Sequence, residues 1–217
     1  MNSLKKPIAQ KKNLFVFDYG CGEGSVLNEI KRRFQLLDHQ FGGCDISERA
    51  VNIARREVHS PYLYCGAFPE LNQKYDIIIC SEVIEHTKNY LDVLYWIRNN
   101  IADGGIFILS TQAGKIHASD KYTGHTQHFD IYQLNSILRR LEFKIDYSRQ
   151  WGFPLFSLQK YMTDLNFDKV RKNYLEGELS FTKRFVFEVA YYLYFINDLA
   201  DAGPQIYIIA SKNSGDI

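Results

Sequence analysis

The chain has 217 residues, of which 46% are hydrophobic and 24% are charged. This length is enough to bury most of the apolar surface around a single core, so we expect one soluble domain. The 26 lysine and arginine residues nearly cancel the 25 aspartate and glutamate residues. The composition therefore carries no electrostatic signature of a nucleic-acid-binding protein.

The cysteines and the first residues favour a cytoplasmic protein. Cys21, Cys44, Cys65 and Cys80 form no C-x-x-C pair and lack the spacing of a zinc site, so we expect reduced thiols. Residues 1–13 are rich in lysine, but no apolar region or cleavage site follows them. We therefore expect no signal peptide.

The first predicted strand, residues 14–18, leads through Asp18 into alternate glycines at positions 20, 22 and 24 and then into a predicted helix, 24–36. Glycines at such a turn let the backbone approach a ligand closely. A dinucleotide-binding fingerprint would place its third glycine where Ser25 stands, so the spacing favours a group smaller than a pyrophosphate. A connection that binds nothing is the alternative.

The second predicted strand, residues 40–44, ends at an acid. Asp45 lies about 20 residues after the glycine turn, where a carboxylate can accept hydrogen bonds from ribose hydroxyls. Ile46 would then pack on the base that the ribose carries. The alternative is that Asp45 or Ser47 caps the predicted helix 47–58. Ser47 suits the cap better, which leaves Asp45 free for a ligand.

Strands and helices continue to alternate along the chain. A capping-box pattern at Asp130 and Gln133 opens a helix that ends at Arg140. The further predicted strands are 61–65, 75–80, 104–110, 142–149 and 205–210, and the further predicted helices are 88–100 and 155–172. The fourth strand is followed by the acidic segment Ser81–His86, and doubly wound sheets bind ligands at that edge.

Two motifs carry a family resemblance. The D-x-G-x-G-x-G turn that begins at Asp18 resembles the first motif of class I S-adenosylmethionine-dependent methyltransferases, in which the turn wraps the methionine end of the cofactor. The E-V-I-E-H segment, Glu82–His86, resembles the branch that includes the ubiquinone-biosynthesis O-methyltransferases. The resemblance covers roughly residues 14–145 and the final strand.

The resemblance implies a fold and a cofactor. The fold would be α/β, a Rossmann-like seven-stranded mostly parallel sheet with helices on both faces, its last strand antiparallel beside the fifth. The cofactor would be S-adenosyl-L-methionine and the product S-adenosyl-L-homocysteine. The residues that it implies for the cofactor site are Asp18, Gly20, Cys21, Gly22, Asp45, Ile46, Ala67, Phe68 and Ser81. Ala67 stands where the family usually has a short polar or acidic residue, so adenine recognition would fall to backbone groups and Phe68.

The loop between Thr111 and Asp130 should lie over the transferred methyl group. Methyl transfer requires a base that removes a proton from the acceptor, and histidine titrates near neutrality. His125 is the first candidate and His128 the second. For each, the alternative is a structural histidine bonded to a neighbouring carbonyl.

A metal site is a further hypothesis. Glu82, Glu85 and His86 stand at i, i+3 and i+4, and a helical turn would project them to one side, where they could hold a divalent ion with His125 or His128. The arrangement resembles small-RNA 3′-end 2′-O-methyltransferases, but the spacing of the downstream histidine differs. Alternatively, Glu82 binds backbone amides while Glu85 and His86 orient a loop. We expect no metal.

We predict one methyltransferase domain over 1–217, with a cofactor-binding core (14–150), an aromatic helical insertion (151–203) that covers the acceptor site, and a final strand (204–211). The run 181–199 within the insertion has four interpretations: a core helix, an acceptor-site cover, a homodimer surface or a lipid-facing surface. It is too short in apolar length for a membrane span.

The predicted activity is methylation, at oxygen, of a small or medium-sized acceptor in glycan or secondary-metabolite assembly. The alternatives are a metal-assisted RNA 2′-O-methyltransferase, against which the balanced charge counts, and a non-catalytic cofactor-binding protein.

Overall fold

The computed structural model describes residues 14–172, 194–198 and 200–213. Seven strands form one sheet in the order β3-β2-β1-β4-β5-β7-β6. The strands are β1 (Val16–Tyr19), β2 (Phe41–Asp45), β3 (Tyr62–Cys65), β4 (Tyr75–Ser81), β5 (Ile101–Gln112), β6 (Phe143–Trp151) and β7 (Gln205–Lys212). β1 to β5 pair in parallel, and β7 runs antiparallel to both β5 and β6. The predicted sheet is confirmed, including the antiparallel last strand beside the fifth.

The predicted helices are present, together with a short helix over Ala118–Tyr122 that the sequence did not predict. They are α1 (Ser25–Phe34), α2 (Glu48–Val58), α3 (Tyr90–Asn100), α4 (Ala118–Tyr122), α5 (Ile131–Arg140), α6 (Leu155–Leu165) and α7 (Phe167–Val170). The Ser47 side chain accepts a hydrogen bond from the Ala50 amide at 3.3 Å and so caps α2. Asp130 Oδ1 caps α5 by accepting from the Gln133 amide at 2.9 Å. Short 3-10 turns lie at Asp38–Gln40, Ile84–His86 and Tyr194–Asp198.

Helices cover both faces of the sheet because successive strand residues point to opposite sides. Phe17 and Ile78 belong to one core cluster, which packs against α3 and α5. Their neighbours Val16 and Ile77 belong to the other, which packs against α1 and α2. Because helices cover both faces, a ligand can reach the sheet at the carboxyl ends of its strands.

The fifth strand differs from the prediction at its start. It begins at Ile101 rather than at 104, and its pairing to β4 jumps from Tyr75–Ile101 to Ile77–Ile106. The residues between them form a bulge in which Gly104 has a φ of 70°. The strand can therefore start earlier because glycine tolerates the irregular backbone.

Part of the predicted insertion lies outside the described residues. Of the aromatic run 181–199, the structure describes only 194–198, so its four interpretations stay predictions. The predicted helix 155–172 is divided into α6 and α7 at Asn166, whose φ is −130°. Within the described part of the chain, no helix has the length and apolar character needed to cross a membrane.

Candidate functional site

The glycine turn after β1 combines close packing with open space. Gly20, Gly22 and Gly24 all have positive φ, at 81°, 52° and 88°. A Cβ on Gly20 would lie 2.3 Å from Val83 Cγ2, and one on Gly24 would lie 2.4 Å from Val58 Cγ2. A Cβ on Gly22 would meet nothing within 4 Å. Two glycines therefore allow close packing, whereas Gly22 faces space that a ligand can occupy.

Asp18 lies at the base of this turn and is buried. Burial, with a smaller contribution from the charge of Asp45, raises the pKa of Asp18 to about 7. A cationic ligand at the turn would favour the ionised form of this carboxyl. Asp18 is therefore suited to face the ammonium group of an amino acid, which would stabilise its carboxylate form.

Cys21 is a predicted cofactor residue whose side chain is buried. Its side chain packs in the core, and burial raises its thiol pKa to about 12. Its amide donates to the Cys44 carbonyl at 2.9 Å, and its own carbonyl accepts from the Gly24 amide at 2.9 Å. Cys21 therefore shapes the turn from inside the core.

Asp45 is not free, contrary to the expectation from sequence. Its Oδ2 accepts a hydrogen bond from the Gly22 amide at 3.0 Å, and its Oδ1 accepts from the Ser47 amide at 2.8 Å. The carboxylate thus joins the end of β2 to the glycine turn. Each oxygen keeps a second acceptor position, so ribose hydroxyls can still bind there.

Two apolar side chains next to Asp45 are exposed. Ile46 is 79% exposed and Phe68 is 51% exposed. The Gly66 amide donates to the Asp45 carbonyl at 2.9 Å, which brings the loop of Ala67 and Phe68 beside Ile46. Large apolar side chains exposed together at the carboxyl edge of a sheet are suited to an aromatic base.

The end of β4 is held by a polar network. Ser81 Oγ lies 2.7 Å from Ser110 Oγ, which donates to Glu82 Oε1 at 2.9 Å. Gln112 Nε2 donates to Glu82 Oε2 at 2.7 Å, and Gln205 Nε2 donates to Glu82 Oε1 at 2.5 Å. These contacts hold Glu82 at a positive φ of 55°, which non-glycine residues rarely adopt. The sequence did not indicate Gln112 or Gln205 as site residues, because it is the pairing of β5 with β7 that brings them together.

The three candidate metal ligands do not form one group. The ligand atoms of Glu85, His86 and His125 lie within 4.8 Å of one another, but Glu82 is not in that group. Glu85 is fully buried, and Thr111 Oγ1 donates to its Oε2 at 2.8 Å, while its Oε1 has no hydrogen-bond partner. Burial, followed by the charge of Glu82, raises the pKa of Glu85 to about 7. The structure therefore brings Glu85, His86 and His125 together, whereas the Glu82 carboxylate accepts hydrogen bonds from Ser110, Gln112 and Gln205.

The two candidate bases form a pair. His125 Nδ1 lies 3.0 Å from His128 Nε2, and the His125 ring meets the His86 ring with centroids 4.7 Å apart. The side chains of His125 and His128 are 10% and 1% exposed. Burial is the main cause that lowers the pKa of each, which favours neutral imidazoles. His117, the third histidine of the loop, instead pairs with Asp164 at 3.1 Å.

A buried ion pair adjoins the histidine pair, and sequence reasoning did not find it. Asp120 Oδ2 lies 3.6 Å from His128 Nε2, and Asp120 Oδ1 lies 4.0 Å from His125 Nδ1. Lys160 Nζ, from α6, lies 3.0 Å from Asp120 Oδ1. A cavity of about 280 Å³ opens beside these groups. It is lined by Gln112, Ser119, Asp120, Thr123, His125, Phe156, Gln159, Lys160 and Thr163.

Comparison with known proteins identifies the family of this chain. A family model described as a methyltransferase domain matches residues 3–171, which is most of the chain. The ubiquinone biosynthesis O-methyltransferase of Roseobacter denitrificans is 28% identical over 109 residues, which are 46% of this chain and 42% of that protein. The mitochondrial enzyme of that name from Saccharomyces cerevisiae is 28% identical over 118 residues, which are 50% and 37%. The chain thus spans less than half the length of these relatives.

Solved structures show the same fold. Phosphoethanolamine N-methyltransferase 2 of Haemonchus contortus, in complex with S-adenosyl-L-methionine, has a TM-score of 0.63 at 18% identity and aligns over 98% of this chain and 52% of its own. The [4+2]-cyclase SpnF has a TM-score of 0.62 at 17% identity over 99% and 82%. At these identities the likeness concerns the fold alone. With the family model, it shows that the chain belongs to the methyltransferase domain family, within the class I S-adenosylmethionine-dependent methyltransferases.

Proposed function

We propose that this protein transfers a methyl group from S-adenosylmethionine to an oxygen atom of a small or medium-sized acceptor. The observation that carries the proposal is the position of the His125–His128 pair. The pair lies beside the 3-10 turn Ile84–His86 that follows β4, because the His125 ring contacts the ring of His86. β4 pairs directly with β1, so its carboxyl end and the glycine turn share one edge of the sheet.

The proposed cofactor site uses the carboxyl ends of β1, β2 and β4. Asp18 and the glycine turn would hold the methionine end, with Gly22 facing the open space. Asp45 would accept from the ribose, and Ile46 and Phe68 would cover the adenine. Ser81 would lie at the sulfonium end. When bound, the cofactor supplies an electrophilic methyl group that an in-line nucleophile attacks.

The role of this chain in the reaction is alignment and proton removal. In the tautomer in which the His125 Nδ1–H group donates a hydrogen bond to His128 Nε2, His125 Nε2 carries a lone pair that can take the proton of an acceptor hydroxyl. Asp120 then faces the imidazolium that forms, at 4.0 Å from His125 Nδ1 and 3.6 Å from His128 Nε2. A neutral base with a nearby anion is suited to this step.

The test is His125→Ala. We expect S-adenosylmethionine affinity to stay within about twofold and turnover to fall by about 10²–10⁴-fold, the usual contribution of a general base. Calorimetry and radiolabelled methyl transfer measure the two quantities. His117→Ala is the matched control, because His117 belongs to the same loop but pairs with Asp164. Equal turnover of His125→Ala and the parent would refute the assignment.

The acceptor class is proposed from the cavity and the insertion. The cavity of about 280 Å³ suits one ring-sized group, and its lining of hydroxyls and carboxamides is consistent with an acceptor from glycan or secondary-metabolite assembly. The relatives carry the name of ubiquinone biosynthesis, so a phenolic acceptor is the comparison. Methyl transfer to glycosides or to alcohol groups of secondary metabolites, in preference to catechols of the ubiquinone type, is the expected result. A catechol as the better substrate would overturn this assignment.

The remaining predictions belong to the same proposal. α6 contributes Phe156 and Lys160 to the cavity, which supports the division into a core (14–150), an acceptor-covering insertion (151–203) and a final strand (204–211). A homodimer and a cytoplasmic location stay predictions. A non-catalytic protein would bind S-adenosylmethionine without consuming it when the acceptor panel is supplied.

A further inference from the structure

Asp120, His125 and His128 bring three metal-binding groups close to one another. His125 Nδ1 lies 3.0 Å from His128 Nε2, while Asp120 Oδ2 lies 3.6 Å from His128 Nε2 and Asp120 Oδ1 lies 4.0 Å from His125 Nδ1. Donor atoms that bind a tetrahedral Zn²⁺ ion at about 2.0–2.2 Å lie about 3.3–3.6 Å from one another. The observed separations lie on both sides of that spacing, so small side-chain movements would complete a site.

The loop that carries these residues is fixed by backbone hydrogen bonds. The His125 amide donates to the Asp120 carbonyl at 2.9 Å, and the Phe129 amide donates to the Gln112 carbonyl at 2.9 Å. The side chains of the three residues are at most 10% exposed. A ligand set that is held in place before an ion arrives binds it with little loss of conformational freedom.

The donor set selects the kind of ion. Imidazole nitrogens suit Zn²⁺ and its neighbours in the first transition series, whereas Mg²⁺ and Ca²⁺ prefer oxygen ligands. When three protein residues bind Zn²⁺, a water can occupy the fourth position. The cavity of about 280 Å³ is lined by Asp120 and His125 and has room for that water. Two imidazoles and one carboxylate beside a cavity therefore indicate Zn²⁺ with an open fourth position.

The carboxylate of Asp120 attracts a cation in this structure. Lys160 is 9% exposed, and its Nζ lies 3.0 Å from Asp120 Oδ1 and 3.0 Å from Gln112 Oε1. A desolvated carboxylate requires such a positive partner. Because Gln112 also binds the ammonium group, Lys160 keeps one partner when an ion takes the carboxylate. Lys160 is therefore a competitor of the ion for Asp120.

We propose that Asp120, His125 and His128 bind one Zn²⁺ ion and that the bound ion blocks methyl transfer. The ligand set differs in two of its three members from the group of Glu85, His86 and His125. A neutral imidazole that binds a metal through Nδ1 carries its proton on Nε2, so His125 Nε2 loses its lone pair. The inhibition rests on the proposed function, because it requires His125 as the base. The binding of the ion does not depend on that function.

The test titrates the full chain with Co²⁺ and then with Zn²⁺, with no acceptor present. Co²⁺ in a four-coordinate site absorbs visible light far more strongly than hydrated Co²⁺, so its spectrum reports the geometry. All proteins carry Cys65→Ser, because Cys65 is exposed and a thiolate would also bind these ions. We expect one Co²⁺ per chain with a strong visible band, and Zn²⁺ should remove that band.

Substitutions identify the ligands. Asp120→Asn and His128→Ala should each weaken binding by about 100-fold or more, since loss of even an outer partner of a ligand costs about 10–100-fold. His86→Ala is the matched control, because the His86 ring contacts His125 but belongs to the other group. Lys160→Met should tighten binding by about tenfold, because the competing charged hydrogen bond to Asp120 is removed. His128→Gln and Lys160→Gln replace any of these variants that does not fold.

The outcomes separate the site from the proposed function. A parent chain without a strong visible band would overturn the proposal, and so would binding that is lost in His86→Ala but kept in Asp120→Asn. In methyl-transfer assays, Zn²⁺ that fills the site should lower turnover by about 10²-fold or more, the usual contribution of a general base, and a chelator should restore it. Zn²⁺ that binds through Asp120 and His128 but leaves turnover unchanged would refute His125 as the base and leave the metal site standing.

Discussion

Replacing Asp45 by alanine tests the cofactor site most directly. The substitution removes the carboxylate that accepts from the Gly22 and Ser47 amides at 3.0 and 2.8 Å, and with it the acceptor proposed for the ribose hydroxyls. Hydrogen bonds to a charged group contribute about 1.5–3 kcal/mol each, and because Asp45 is half-buried we extend the lower bound of the expected loss to about 1 kcal/mol. A loss of about 1–3 kcal/mol in binding corresponds to an affinity about 5–150-fold weaker.

The assay must separate the ribose contacts from the shape of the turn. Calorimetry gives the S-adenosylmethionine affinity, and thermal unfolding without cofactor gives the stability of the turn. Asp45→Asn keeps one acceptor oxygen for the Ser47 amide and should lose less stability than Asp45→Ala. Glu48→Ala is the control, since Glu48 is an exposed acid in the first turn of α2. Unchanged affinity in a folded Asp45→Ala would refute the assignment.

Further substitutions address the glycine turn, its buried acid and the metal question. Gly22→Ala has room for its Cβ, so its positive φ alone should lower the free energy of unfolding by about 1–2 kcal/mol, and the variant should also lose cofactor affinity. Gly24→Ala should melt at a lower temperature than Gly22→Ala, because its Cβ would lie 2.4 Å from Val58 Cγ2. The reverse order in thermal unfolding would contradict this reasoning. Burial raises the pKa of Asp18 from 3.8 to about 7, so the folded protein binds an extra proton between those values and its free energy of unfolding falls as the pH rises through that interval. Asp18→Asn should flatten this fall in urea titrations, and an unaltered slope would exclude Asp18 as its source. Methyl transfer should persist after dialysis against a chelator, because the carboxylate of Glu82, the first of the predicted ligands, is engaged by Ser110, Gln112 and Gln205 and lies outside the group of Glu85, His86 and His125. Activity that returns only with a divalent ion would support the metal-assisted alternative.

Local patterns predicted the elements and the glycine turn, and the reason is that both depend on short stretches of chain. Buried parallel strands are short apolar runs, and a turn with alternate positive φ values requires glycines at alternate positions. The same locality explains the confirmed helix caps at Ser47 and Asp130. It also explains the error at Asp45, because the amide of Gly22 lies 23 residues away.

The sequence by itself therefore determined the order of strands and helices, the methyltransferase family and the edge of the sheet at which a cofactor would bind. Tertiary structure alone decided which polar groups meet there. The Gln112–Gln205 contact joins residues 93 positions apart through the antiparallel insertion of β7, and the Gln112–Lys160 contact joins residues 48 apart through the packing of α6. Such side-chain pairs follow from how elements pack against one another, and no local periodicity of the chain encodes them.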